Sequence, residues 1–340
     1  MDVGRLFPPQ VRVFPLPNAI HPKLYVFGAT STLRWKESAL YPAFRMSARL
    51  YRFLIRAKVA AGYTSFWNNQ ISQWIVSEFV QDLLPNLKSC VILVGTPGPT
   101  QKLIVQLWDG KNVVGYLKYA EKPAARVRLK NEYQVLLDLP KGLAPIPLKY
   151  GAMGDGEALL STPVFGRAFS PTPYPVKRIV EYFNGLKISG PLILNDHPWI
   201  RMYAERNENI VQPWLDVLSR RKWSIVFSHG DSAPWNIFNL ANGNVQAIDW
   251  EYGTCQGFPQ IDIVQYILQV AALIYRWSPQ QARNYAVNFL CRSNSPLRRV
   301  EAQSVVCFAA YHGYMQALED GQSPDASLQI WRRAVWEGSM

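Results

Sequence analysis

Two apolar runs, Ile237-Phe238-Asn239-Leu240 and Val245-Gln246-Ala247-Ile248, flank the tetrapeptide Ala241-Asn242-Gly243-Asn244. Asn-Gly between such runs is the strongest short-range signal for a tight β-hairpin. With Asn242 and Gly243 as the two central turn residues, Leu240 faces Val245, Ile237 faces Ile248, and Asn236 falls opposite Asp249. Side chains so paired start about 5 Å apart. An amide oxygen and a carboxylate at that separation can converge on one hard cation, which takes oxygen ligands at about 2.0 to 2.1 Å in the case of magnesium. Just upstream lies Ser228-His229-Gly230-Asp231, with Asp231 on the loop leading into the first strand. A His-Gly-Asp tripeptide alone is an ordinary turn; the hairpin gives it a context.

Asp231 and Asn236 reproduce the Asp-x-x-x-x-Asn spacing of a kinase catalytic loop, in which the Asp takes a hydroxyl proton and the Asn and a later Asp hold metal. The blocks His229-Gly230-Asp231-Ser232-Ala233-Pro234-Trp235-Asn236 and Ile248-Asp249-Trp250-Glu251 resemble those of the aminoglycoside phosphotransferase and choline kinase-like small-molecule kinases. The segment Gly257-Phe258-Pro259-Gln260-Ile261-Asp262 is similar to the family's Gly-x-Pro-x-x-Asp. The resemblance is specific over residues 223 to 270 and vague outside them. It implies an α+β, protein-kinase-like two-lobe fold with a small antiparallel-sheet N-lobe and a mainly helical C-lobe. It implies ATP and magnesium as cofactors, Asp231 as catalytic base, Asn236 and Asp249 as metal ligands, Glu251 near the metal, and Asp262 as structural support. His229 is expected to orient the loop.

Residues 88–162 read as the N-lobe and hinge. Ser89 to Val94, Leu103 to Trp108 and Asn112 to Tyr119 are β-branched and aromatic runs separated by Gly, Pro and Asp-Gly. Lys118 ends the third run, as the phosphate-pairing lysine does in kinases, with Lys122 and Lys130 as nearby alternatives. Residues 124 to 139 read as a helix carrying Glu132, the natural partner of Lys118. Gly95-Thr96-Pro97-Gly98-Pro99-Thr100 stands where a phosphate-covering loop would be. Only Gly95 and Gly98 match that role, and the prolines remove backbone donors. Gly142 to Arg167 is the expected hinge, with a strand at Glu157 to Ser161. Residues 163–340 are the expected helical C-lobe, with helices over 174–186, 198–220, 261–274, 279–290, 300–319 and 326–336.

Residues 1–87 are expected to form an N-terminal extension. Residues 6 to 24 are proline-rich and read as extended chain. After Pro42, Arg45, Arg49, Arg52 and Arg56 line one face of a helix, with Met46, Leu50, Phe53, Leu54 and Ala57 on the adjoining face. Such a basic amphipathic helix suits peripheral contact with an anionic membrane or, solvated on its basic side, packing on the lobe. A second helix is expected over 71 to 84.

The net charge of +12 carries no zinc-finger or RNA-recognition pattern with it, so nucleic acid is not an expected partner. Cys90, Cys255, Cys291 and Cys307 are scattered and read as free thiols. No transmembrane run and no signal peptide is seen, and a cytoplasmic enzyme is expected. Among residues 263–340 arginines outnumber carboxylates, which disfavours a polycationic acceptor and favours a neutral or anionic hydroxyl compound such as a sugar or a lipid-linked glycan intermediate. A catalytically silent kinase-like scaffold and, more weakly, a metal-dependent hydrolase are the rival readings.

Overall fold

The computed structural model describes residues 3–43, 46–205, 209–293 and 296–338. By internal contacts the chain divides into two compact units, Met1–Tyr133 with Pro145–Pro163, and Gln134–Ala144 with Val164–Met340.

The first unit is built on an eight-stranded sheet. Its strands are β1 (Arg12–Leu16), β2 (Leu24–Val26), β3 (Trp67–Asn68), β4 (Ser89–Val94), β5 (Leu103–Trp108), β6 (Val113–Ala120), β7 (Pro147–Met153) and β8 (Gly156–Ser161). They lie in the order β3-β1-β2-β4-β5-β6-β8-β7, with antiparallel pairing throughout. Side chains alternate between the two faces of a strand, and both faces are filled. Val13, Cys90, Ile92, Val105 and Leu107 enter one core, while Phe14, Leu16, Val91 and Trp108 enter another. Residues 1–87 therefore add three strands to this sheet and buried side chains to both of its cores. The proline-rich start pairs as a strand because Val13, Phe14 and Leu16 supply apolar side chains to both faces.

The α-helices of this region among the described residues are α1 (Ser31–Glu37), α2 (Met46–Ala60), α3 (Ile75–Val80) and α4 (Pro123–Asp138), the last containing the division between the units. Helix α1 ends in Glu37, a fully buried carboxylate that accepts the Gly28 N–H at 2.8 Å and the Ser89 hydroxyl at 3.4 Å. Burial outweighs those bonds and the nearby Arg34, and pushes the Glu37 carboxyl up to about 7. A folded pKa above the unfolded value means stability that is present below pH 4.5 and lost as pH rises through 7. Glu37→Gln, which mimics the protonated acid, is expected to gain on the wild type by about 3 kcal/mol between pH 5 and pH 9. Denaturant midpoints of both proteins at the two pH values check this.

The second unit has strands β9 (Gly166–Ala168), β10 (Lys187–Leu192), β11 (Trp223–Ser228), β12 (Ile237–Leu240), β13 (Val245–Ala247) and β14 (Thr254–Gly257). They form two small sheets, β10-β11-β14 and β13-β12-β9. Its helices are α5 (Lys177–Gly185), α6 (Pro198–Glu205), α7 (Gln212–Leu218), α8 (Ile261–Val270), α9 (Pro279–Arg292), α10 (Arg299–Glu319) and α11 (Ser327–Glu337). The single helix expected over 198–220 is two, and Pro213 in the first turn of α7 accounts for the restart, since proline lacks the N–H that a helix interior needs. Cys90 and Cys307 are buried and outside any disulfide, whereas Cys255 is exposed.

Candidate active site

The hairpin of β12 and β13 forms, but with a three-residue loop instead of two. Ile237 pairs with Ala247 and Asn239 with Val245. The Leu240 N–H donates to Asn244 O at 2.9 Å, the Gly243 N–H donates to Leu240 O at 3.0 Å, and Gly243 is left-handed at φ +86°. This is the type I turn followed by a left-handed glycine that three-residue hairpins use. The register is thereby one residue off the expected one. Asn236 lies beside Ile248, whose N–H donates to Asn236 O at 2.8 Å, and Asp249 leaves the ladder at φ +69°. A non-glycine residue there is uncommon and marks a position where the surrounding structure dictates the backbone.

The loop before β12 is held from below by Asp262 in the first turn of α8. One carboxylate oxygen accepts the His229 N–H at 2.9 Å and the other the Gly230 N–H at 3.0 Å. The Ser232 hydroxyl donates to the Asp262 carbonyl. Gly230 is left-handed at φ +76°, and a Cβ there would lie 2.4 Å from Tyr252 O, so only glycine fits. His229 is fully buried; its Nε2 sits 2.8 Å from Ile248 O, and its Nδ1 accepts the Asp231 N–H at 3.3 Å. These two contacts tie the loop to the hairpin.

Asn236 donates its amide nitrogen to Asp231 O at 3.0 Å, which leaves Oδ1 as its remaining acceptor. Burial above all, then the charge of Asp249, pushes the Asp231 carboxyl up; His229, a hydrogen bond from Gln269 and the cation of Arg332 oppose the shift. Two carboxylates that repel beside an amide oxygen are a donor set suited to a hard divalent cation that completes its shell with water and phosphate oxygens. Among the described residues no three His, Cys, Asp or Glu gather as a closed metal site. Glu251 follows in the turn after Asp249, half-buried.

In the first unit, Lys118 on β6 meets Glu132 on α4, with Nζ 2.7 Å from both carboxylate oxygens. Lys122, between β6 and α4, instead donates to Gly98 O at 2.7 Å and ties the β4–β5 loop to the start of α4. The Gly95 N–H donates to Lys102 O at 2.9 Å, and a Cβ at Gly95 would lie 2.6 Å from that oxygen. Gly95 thus shapes the root of the loop, and backbone donors for a ligand would come from its tip.

Beside Asp231 opens a cavity of about 40 Å³, with Gln265, Leu268, Gln269, Ala309, Trp331 and Arg332 in its lining. Among the described residues Asp231 is the one carboxylate on its wall. Arg332 Nη1 is fixed by Gly313 O at 2.8 Å and by Gln329 Oε1 at 3.3 Å, and Gln265 Oε1 is buried without a hydrogen-bond partner among the described residues. Sequence reading did not single out Gln265, Gln269 or Arg332. The two glutamines stand four apart and so share one face of α8, a signal that was legible; Arg332, a hundred residues downstream of Asp231, carried none.

No family model matches the chain, and no curated protein matches it. It is similar to several solved structures. Choline kinase LicA from Streptococcus pneumoniae is 15% identical with a TM-score of 0.46, over 78% of this chain and 96% of that one. A putative fructosamine-3-kinase from Haemophilus somnus is 11% identical with a TM-score of 0.43, over 76% and 96%. Macrolide 2'-phosphotransferase type I is 15% identical with a TM-score of 0.41, over 77% and 96%.

Proposed function

We propose that the chain is an ATP- and magnesium-dependent phosphotransferase that moves the γ-phosphate to a hydroxyl of a small molecule. The observation that carries this reading is the loop from His229 to Asn236, fixed by Asp262, in which Asn236 donates to Asp231 O and the charge of Asp249 acts on the Asp231 carboxyl. Phosphoryl transfer asks a protein mainly for positioning and charge neutralisation. Asp231 aligns the acceptor hydroxyl and takes its proton as the oxygen bonds to the γ-phosphorus and the bond to the ADP oxygen breaks. Its raised proton affinity suits a base. Asn236 and Asp249 would hold magnesium, which supplies neutralisation of phosphate charge when bound. Lys118, oriented by Glu132, serves the α- and β-phosphates.

The acceptor is neutral or anionic, with a sugar or glycan intermediate as the favoured class. The cavity beside Asp231 supports this, because its lining offers amides, apolar surface and the Arg332 cation but no further carboxylate for a polycation. At about three waters' worth of space it receives one substituent of the acceptor, not a whole ring.

Thermal melting with ATP and magnesium, separately and together, tests the nucleotide site. The wild type is expected to be stabilised most by both ligands together, and Asp249→Asn to lose the magnesium-dependent part. A hundredfold excess of ligand over its Kd corresponds to about 2.7 kcal/mol. No response of the wild type would sink the enzyme reading in favour of a silent scaffold.

A further inference from the structure

Of the two placements its sequence allows, helix α2 does not take the one with a solvated basic side and a packed apolar side. Two of the arginines expected on one solvated face turn inward: Arg52 donates to Tyr41 O at 3.4 Å, and Arg56 donates twice to Trp35 O, at 3.1 and 2.8 Å, with its guanidinium 4.1 Å from the Trp35 ring centroid. Arg45 lies outside the described residues. Ile55 and Val59, one turn apart, bury into the core with Phe14, Leu16, Tyr41 and Trp108. The face expected to pack points outward instead, with Leu50 64%, Phe53 55% and Leu54 51% exposed.

At about 100° per residue, Phe53, Ala57, Leu50 and Leu54 fall within an arc of about 100°. Exposed Arg49 borders that arc on one side and exposed Lys58 on the other. Tyr51 lies beyond Lys58, half exposed, and Tyr63 follows the helix with its N–H on Lys58 O. An apolar strip with cations along both margins is the cross-section of a helix lying in the headgroup region of a bilayer.

We infer that this face of α2 docks on an anionic lipid surface, with Leu50, Leu54 and Phe53 entering the acyl boundary and Arg49 and Lys58 meeting headgroup phosphates. Charge decides the occupant. The helix contains no acidic residue, the chain carries +12, and a leaflet rich in anionic lipid attracts such cations at about 1 kcal/mol each. A second copy of this face would set Arg49 and Lys58 against their own kind. Among the described residues no helix is long and apolar enough to cross a membrane. The inference is independent of the phosphotransferase reading.

Cosedimentation of the full chain with phosphatidylcholine vesicles, with and without phosphatidylglycerol, tests it. Binding is expected to the anionic vesicles and to weaken with added salt. Leu50→Ser with Leu54→Ser should reduce the vesicle affinity at least about tenfold, and Arg49→Glu with Lys58→Glu should remove the preference for anionic lipid. These residues are solvent-facing, so both variants should melt as the wild type does and keep its response to ATP and magnesium. Absence of wild-type binding, undiminished binding by the leucine variant, or a wild-type dimer that the leucine variant turns into monomer would each overturn the inference, the last by assigning the face to a second copy.

Discussion

Asp231→Asn is expected to lower the turnover number at least about a thousandfold while leaving the joint stabilisation by ATP and magnesium in place. General-base contributions run at about 10² to 10⁴, and in the proposed reaction the same group also aligns the acceptor. The amide keeps the shape of the carboxylate but cannot take a proton. Its effect on the folded state has the opposite sign. Burial and the charge of Asp249 make an ionised Asp231 unfavourable, so removing that charge should raise the melting temperature near neutral pH. A variant that is more stable, still binds nucleotide and no longer transfers phosphate separates chemistry from architecture, as expected where stability is sacrificed at a functional site. Single-turnover phosphate transfer and melting curves on the same preparations check both halves; wild-type turnover by the variant would exclude Asp231 as the base.

Asp262→Asn should fail differently, losing folding stability as well as activity. Asp262 offers two oxygens to two buried N–H groups, those of His229 at 2.9 Å and Gly230 at 3.0 Å. The amide turns one acceptor into a donor that faces a donor. One backbone N–H is then left unsatisfied in the interior, which costs about 1 to 3 kcal/mol, more where the lost partner was charged. Gly230 cannot relax toward another conformation, because the backbone of Tyr252 closes over it. Denaturant unfolding should show the loss directly, and nucleotide binding should weaken with it because the loop carrying Asn236 is no longer braced. If Asp262→Asn retained wild-type stability, the brace would lie elsewhere.

Much of this site was legible in the chain itself. Asp231, Asn236, Asp249 and Asp262 lie within about thirty consecutive residues, and local turn chemistry brings most of that stretch into one place. Lys118 and Glu132 were legible for the same reason, being a strand end and the next helix. The hairpin register was not, because an Asn-Gly pair serves both two-residue and three-residue loops; the choice rests on Gly243 alone adopting the left-handed conformation.

The sheet of β10, β11 and β14 was not legible, because its strands pair across long separations and carry mixed, half-exposed faces, so no clean alternation marks them.

What the sequence by itself determined is the local grouping: Asp231, Asn236, Asp249 and the brace Asp262, spaced so that one loop and one hairpin unite them. Tertiary structure alone decided which side chains from distant elements complete the surroundings and which face of a helix is turned outward. Arg332 reaches the cavity from α11, and Gln269 reaches Asp231 from α8. In α2 periodicity defines the faces of the helix but not their partners, and the carbonyl and ring of Trp35 on α1 draw Arg56 inward while Leu50 and Leu54 face outward.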